Sequence, residues 1–281
     1  SCGSALYGIA IFLLGRGDGT LGRTSGSFSN AMTFGGVMLL LCSILFALAT
    51  AYEVRGRLRI AAMIASVITA LALFFSFTRS SWLGMLLSVL IVLVIQRRRL
   101  LPIFIVAIAI TVLILPARYR DRFTSIMDLD YRTNVHRLQM LEGGWRIFKE
   151  HPIIGVGPID LSELYQEHKP PEAEYVFGHL HNNFLNIAVT LGLLGLAAFV
   201  YLFVSIFRLL ARNLRLGLPP PERAWVVGSI SAVAGFLVNG LFEWNFADAE
   251  VVTLLYIIIG SNCALGFVYG SGSSGAGGAR P

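Results

Sequence analysis

The stretch from residue 178 to residue 207 reads GHLHNNFLNIAVTLGLLGLAAFVYLFVSIF. From Phe184 onward it contains no charged side chain. An apolar run of about 20 residues is long enough to cross the roughly 30 Å hydrocarbon core of a bilayer as a helix. Directly in front of this run lie two histidines and two asparagines. Because polar groups are costly inside a membrane, the stretch predicts a membrane helix that carries a polar cluster at one end.

The composition of the whole chain agrees with a membrane protein. Of its 281 residues, 56% are hydrophobic and 14% are charged, and the mean hydropathy is +0.72. Soluble globular domains carry about 25% charged residues. We therefore predict an all-α fold, a polytopic transmembrane helical bundle with about eight membrane spans. The predicted spans lie near residues 4–15, 32–52, 58–77, 82–96, 100–116, 183–207, 224–242 and 249–269.

Arginines between the predicted spans indicate the orientation of the chain. Lys and Arg gather in short cytoplasmic loops, which places the QRRRL segment at 96–100 inside. The basic segments 52–59 and 208–223 then fall on the same side. This topology accounts for the net charge of +6, so we expect no nucleic-acid partner. The opposite, periplasmic side receives residues 16–31, 78–81, 117–182 and 243–248.

The predicted spans divide the chain into four regions. Residues 1–116 hold the N-terminal membrane helices, 117–182 form one large periplasmic loop, 183–270 hold the C-terminal membrane helices, and 271–281 form a flexible tail. Within the large loop, an apolar stripe at helical spacing predicts an amphipathic helix on the membrane surface. Its members are Leu138, Leu141, Trp145 and Phe148.

Arginines on the periplasmic side are the first candidates for a functional site. Arg79 lies between two apolar runs, and Arg137 lies at the start of the amphipathic helix, five residues after Arg132. A guanidinium group stays charged and donates hydrogen bonds in pairs, which suits a diphosphate. The alternative is that each side chain reaches back to the lipid headgroups. Spacing alone does not decide between these interpretations.

The polar cluster and the last periplasmic link supply the other candidates. The imidazole of His181 can orient or deprotonate a hydroxyl near neutral pH, or it can cap the helix that follows. His179 is the weaker candidate, and Asn182 is either a substrate ligand or a simple N-cap. Glu243 can bind a sugar, serve as a general base, or form an ion pair with an arginine that fixes the link, and we favour the ion pair. The periplasmic segments contain no metal-ligand spacing, so we expect no metal and no cofactor.

Several segments resemble the O-antigen ligase and polymerase superfamily and occur in that family's order. GRTSGSFSNAMTFGGVM at 22–38 resembles the segment before a membrane helix, and TRSSWLG at 78–84 resembles a short link. RLQMLEGGWRIFKEHPIIGVGP at 137–158 resembles the entry to the large periplasmic loop. LFEWNFADAEVVTLLYIIIG at 241–260 resembles the closing helix pair.

The most specific part of the resemblance is the opening stretch. HN at 181–182 is followed, after nine residues, by GLLG at 192–195, which is similar to a pattern of the ligases. The resemblance implies a GT-C-like bundle that crosses the bacterial inner membrane several times, with its active site facing the periplasm. Members of the family have more membrane helices than this chain shows, so we expect the chain to be a fragment that lacks N-terminal helices.

The resemblance also implies a reaction. The donor is a glycan on undecaprenyl diphosphate, the acceptor is a hydroxyl of lipid A-core or another glycan, and both are handled among membrane lipids. Transfer is inverting and metal-independent. The matching arginines are Arg79 and Arg137, with Arg132 as a substitute, and they would stabilise the leaving diphosphate. His181 would position or activate the acceptor hydroxyl.

Two alternatives to a ligase stay open at this point. A polymerase of O-antigen or exopolysaccharide has the same fold and motifs. A transporter of an anionic glycan or lipid is the non-enzyme alternative. Transporters usually place their sites near the bilayer midplane, whereas the polar residues here collect at one face of the membrane, which favours transfer over transport.

Overall fold

A computed structural model describes residues 2–17, 23–114, 120–121 and 124–270. The predicted tail, 271–281, lies outside the described residues. Over the described ranges the chain is all-α, as predicted. The helices are α1 (Cys2–Leu13), α2 (Ala31–Thr50), α3 (Gly56–Phe75), α4 (Arg79–Gln96), a 3₁₀ turn (Arg98–Leu100), α5 (Leu101–Ile114), α6 (Arg132–Glu150), α7 (Ser162–His168), α8 (Asn183–Leu214), α9 (Pro220–Asn239) and α10 (Ala249–Gly270).

Among these described helices, five rather than eight are long and apolar enough to cross a membrane: α2, α3, α4, α8 and α10. The predicted span near 4–15 is only the 12-residue α1. The predicted span near 100–116 is described as the 14-residue α5, which contributes no buried residue. Prolines and the charged pair Glu222 and Arg223 lower the hydropathy at the start of α9, the counterpart of the span near 224–242. The count of eight is not confirmed, because it also includes shorter or less apolar helices that fall below this length and hydropathy threshold.

Helix α2 forms the centre of the bundle. It packs against α3, α4 and α9, and 14 of its 20 residues are buried. Helices α4 and α9 approach closely through small residues: a Cβ on Gly84 would lie 2.6 Å from the carbonyl oxygen of Gly235, and the Ser88 hydroxyl donates to the carbonyl of Ser231 at 2.8 Å. Small residues allow such backbone contact between membrane helices.

Helix α8 is broken at Gly192, where φ is 67° and ψ is −166°. The break removes helical hydrogen bonds, and the loop after α6 replaces them. The amides of Val156 and Gly157 donate to the carbonyls of residues 189 and 190, and the amide of Leu193 donates to the carbonyl of Pro152. Backbone groups at membrane depth must be satisfied within the protein, so the loop holds the first turns of α8 in a fixed position.

The predicted amphipathic helix of the large loop is present as α6, and it packs on the rest of the chain through a face other than the stripe expected to lie on the membrane. The buried residues of α6 are Met140, Gly143, Gly144 and Ile147. From the predicted stripe, Leu138 and Trp145 are about half exposed. The glycines decide the packing, because they let Tyr165, Leu180 and Leu185 lie directly against the helix backbone. The prediction considered only apolar side chains at helical spacing, so it could not detect packing through glycines.

Candidate active site

The candidate side chains meet at one end of the bundle. There the Thr78 hydroxyl, just before α4, donates to the carbonyl of Ala31 at the start of α2, at 2.9 Å. The Thr33 hydroxyl in the first turn of α2 donates to Asp248, just before α10, at 3.1 Å. The N-terminal end of α8 joins them, since Met32 and His181 line one cavity. The ends of α2, α4, α8 and α10 therefore surround the same region.

That cavity has a volume of about 160 Å³. It brings together Arg79, Arg137 and His181, three residues selected from the sequence. The lining contains no carboxylate. The lining residues are Arg23, Met32, Thr78, Arg79, Thr133, His136, Arg137, Met140, Phe177 and His181.

Arg79 is buried in the first turn of α4 and does not reach out to lipid headgroups. Its Nη1 donates to the carbonyl and the hydroxyl of Ser125 at 2.6 and 2.9 Å. Its Nη2 donates to Thr133 and Asn134 at 2.5 and 2.8 Å. Both terminal nitrogens of Arg79 therefore donate to other residues of the protein, whereas we expected the guanidinium group to donate its hydrogen bonds to a ligand. Arg79 instead supplies a fixed positive charge, further oriented by the ring of Tyr131 at 5.1 Å.

His181 and Glu243 form a hydrogen-bonded pair beside the cavity. Nδ1 of His181 lies 2.6 Å from Oε1 of Glu243. His181 has a positive φ of 45°, which is rare for a residue with a side chain and costs about 1–3 kcal/mol. The following helix compensates, because Asn182 caps it through the Leu185 amide at 2.9 Å. Such strain is found at functional sites, where the surroundings force an orientation.

The Glu243 carboxyl is almost fully buried and yet remains ionised. Burial alone would raise its pKa, but the hydrogen bond and charge of His181, with the charges of Arg137 and His179, lower the pKa below its ordinary value. Nη2 of Arg137 lies 3.9 Å from the second carboxylate oxygen. When the imidazole is neutral, an ionised Glu243 accepts a hydrogen bond from Nδ1–H of His181, and Nε2 then carries the lone pair. Of the alternatives considered for Glu243, ion pairing with an arginine agrees with its distance from Arg137.

The other sequence candidates lie around the cavity rather than in its lining. The amide of Asn182 is occupied by the backbone of residues 185 and 241. Arg132 is exposed and contacts the hydroxyl and ring of Tyr175. His179 packs edge-on against His181 with ring centroids 4.3 Å apart. Burial, followed by the charge of His181, lowers the pKa of His179.

Sequence reasoning missed two contributions to this region. Arg23 lines the cavity, donating through Nε to the carbonyl of Ser76 at 3.1 Å. Its only signal was its position in the segment at 22–38. The second is a buried amide pair: Asn183 Nδ2 donates to Asn245 Oδ1 at 2.6 Å, which ties the start of α8 to the link that carries Glu243. Both asparagines lay in quoted motifs, but nothing in their spacing paired them.

Asp248 is a further acidic residue at this end of the bundle. Burial raises the pKa of Asp248, while its hydrogen bond from Thr33 acts in the opposite direction.

Within the described ranges, no group of three or more His, Cys, Asp and Glu side chains is arranged to hold a metal ion. The charge at this end of the bundle is therefore set by arginines, with Glu243 beside them.

Comparison with known proteins gives one finding. Residues 64–200 match the family described as O-Antigen ligase. The matched range begins within α3 and ends within α8, so it includes Arg79, Arg137 and His181 and stops before Glu243. A search of curated proteins finds none that matches the chain.

Proposed function

Because the chain belongs to the O-antigen ligase and polymerase superfamily, we propose that it is a membrane glycosyltransferase of the ligase type. It transfers a glycan from undecaprenyl diphosphate to an acceptor hydroxyl, for which a lipid A-core sugar is the candidate, on the periplasmic side of the inner membrane. The observation that carries the proposal is the single cavity shared by three arginines and His181.

The arginines bind and stabilise the departing diphosphate. Three positive charges without a carboxylate in the lining suit a dianionic or trianionic group. Charge increases on the diphosphate oxygen as the bond to the anomeric carbon breaks, and a preorganised cation stabilises that change most. Arg79 acts as the fixed charge, while Arg137 and Arg23 supply further cationic contacts.

His181 acts on the acceptor. Its Nδ1–H donates to Glu243, so Nε2 accepts the proton of the acceptor hydroxyl as that oxygen attacks the anomeric carbon. One carbon–oxygen bond forms, the bond to the lipid diphosphate breaks, and the proton is held on the imidazole. Attack opposite the leaving group inverts the anomeric centre. No step requires a metal, because the arginines supply the charge.

A polymerase is the second candidate, and the His-Asn and GxxG pattern at 181–195 favours the ligase. The two differ only in the acceptor, which is a lipid A-core sugar in one case and a second lipid-linked repeat in the other. Transport is disfavoured, because the charged cavity lies at one end of the bundle rather than midway along the helices.

The test is a reconstituted transfer assay. The purified chain is incubated with an undecaprenyl-diphosphate glycan and, in separate reactions, each acceptor, and products are identified by mass spectrometry. A ligase joins the glycan to lipid A-core and leaves undecaprenyl diphosphate. H181A and R137A should reduce transfer by about a hundredfold or more. R146A is the matched control, since Arg146 lies on the same helix as Arg137, partly exposed and paired with Glu142. Full activity in H181A would refute the assignment.

A further inference from the structure

A second basic cavity lies at the opposite end of the bundle. It has a volume of about 780 Å³ and is formed by the C-terminal ends of α2 and α4, the N-terminal half of α3 and the 3₁₀ turn. Its cations are Arg59, Arg97, Arg98 and Arg99. None of its lining residues is acidic. This end is distinct from the active-site cavity, because Gln96 here bonds Thr50 at the far end of α2.

The arginines of this cavity are anchored through the backbone, not through acids. Nε of Arg97 donates to the carbonyl of Thr50 at 2.7 Å, and Nε of Arg59 donates to the carbonyl of Ala49 at 3.2 Å. Within the described residues, none of the four arginines forms an ion pair with a carboxylate. Four neighbouring cations therefore lack internal neutralisation and favour an external anion.

The cavity is apolar on its other side. Phe46, Met63 and Val67 share the lining with the arginines. An apolar groove of about 500 Å³ between α3, α4 and α5 shares the lining residues Phe46 and Ser66 with the cavity, so the two adjoin each other. On the other side, a cavity of about 540 Å³ shares Arg59 and Met63 and adds Arg55. A phosphate-sized anion would leave these apolar surfaces empty, whereas a lipid would fill both parts.

We propose that this cavity binds an anionic phospholipid. The phosphate lies among Arg59 and the arginines of the 3₁₀ turn, and one acyl chain extends along Phe46 into the groove between α3 and α5. Basic pockets between membrane helices bind such headgroups, and planar guanidinium groups suit a phosphodiester. The site is at the ends of membrane-spanning helices, which is the depth of lipid phosphates. The proposal is independent of the glycan reaction.

The test measures lipid binding to the purified full chain in neutral detergent by native mass spectrometry. Phosphatidylglycerol is compared with phosphatidylcholine and with inorganic phosphate. The first variant is R98Q/R99Q, because both side chains line the cavity and neither forms a side-chain hydrogen bond with another residue that the structure describes. The matched control is R208Q/R215Q, which removes two exposed arginines outside the described cavities. The second variant, V67W, changes no charge and fills the apolar wall.

We expect phosphatidylglycerol to bind, and R98Q/R99Q to weaken that binding about tenfold or more, with the control within about twofold of wild type. V67W should weaken it as well, and melting temperatures identify any variant that is unfolded. Equal binding of phosphatidylcholine, equal losses in both double variants, or displacement of the lipid by inorganic phosphate at the same concentration would each overturn the proposal. Because no glycan is present, a failure here leaves the transferase assignment untouched.

Discussion

Arg79 and Arg137 are both positively charged and line the same cavity, but they differ in burial and in the contacts that fix their side chains. Arg79 is buried and donates four hydrogen bonds through its terminal nitrogens. Arg137 is a quarter exposed and lies 3.9 Å from the Glu243 carboxylate. A rigid buried charge contributes to a transition state without rearrangement, whereas a partly exposed one can follow its ligand. The two arginines should therefore respond differently to substitution by lysine.

We predict that R79K lowers the transfer rate by about a hundredfold, while R137K lowers it by about tenfold or less. Lysine has three N–H donors and no planar fork, so it cannot satisfy the four acceptor atoms of Ser125, Thr133 and Asn134 together. R79K should also lower the melting temperature, because buried acceptors lose their donor. Initial rates and thermal melts of the two variants in parallel check this. Equal losses in both would contradict the different roles assigned to the two arginines, and full activity of R79K would mean that only charge matters at position 79.

Glu243 positions His181 and contributes stability that depends on pH. Its pKa is lower in the folded chain than the ordinary value of 4.5. A depressed carboxyl pKa stabilises the folded state above the ordinary pKa, and that stability is lost as the pH falls through the folded pKa. The advantage of wild type over E243Q in melting temperature should thus be complete at neutral pH and shrink below about pH 4.5.

In the transfer assay, E243Q should lower kcat about tenfold or more, with little change in KM for the donor. The reason is that glutamine does not hold the proton on Nδ1 as a carboxylate does. E142Q provides the control, because Glu142 is exposed and pairs with Arg146, outside the residues that line the cavity. An E243Q variant with wild-type kcat would show that the pair is structural alone.

At the scale of elements, the break in α8 determines where the polar cluster stands. Gly192 interrupts the helix, and the loop at 152–157 supplies the missing hydrogen bonds. The first turns of α8 are thereby separated from the membrane-crossing part and tied to α6, which carries Arg137. The GLLG segment of the sequence motif consequently has a backbone role and not a chemical one.

We predict that G192A destabilises the chain by about 2 kcal/mol or more, since the backbone there is accessible almost only to glycine. A Cβ at this position would also lie 2.1 Å from the carbonyl oxygen of Ile153. Thermal melting in detergent measures the effect. G260A is the control: Gly260 lies within α10 with no atom within 4 Å of an added Cβ, so alanine there should be neutral or stabilising. A neutral G192A would refute the strained backbone.

At the scale of the whole molecule, the two ends of the bundle differ in chemistry. One end combines arginines with a histidine–carboxylate pair, and the other carries arginines without acids beside apolar grooves. The helices between them are apolar. This separation favours chemistry at one membrane surface over passage of a substrate through the bundle.

A transferase forms its product with or without a sealed membrane, whereas transport can be observed only across a sealed membrane. We expect glycan transfer to proceed in detergent or in nanodiscs at a rate within about threefold of that in sealed vesicles, and to be unchanged by a metal chelator. Product formation with and without a sealed compartment, and with and without chelator, measures both. Transfer that requires a sealed vesicle would favour transport, and its loss on chelation would contradict catalysis by arginines.

The sequence alone determined the helical class, the family resemblance and the sidedness of the charges, because apolar runs, motif order and loop arginines are local properties of a chain. It also selected Arg79, Arg137 and His181, which share a cavity in the folded chain. Three features required the tertiary structure: the His181–Glu243 pair, the contribution of Arg23, and the buried face of α6. Each depends on contacts between segments far apart in sequence, and those contacts arise from close packing at glycines and from shared hydrogen bonds, which no periodicity records.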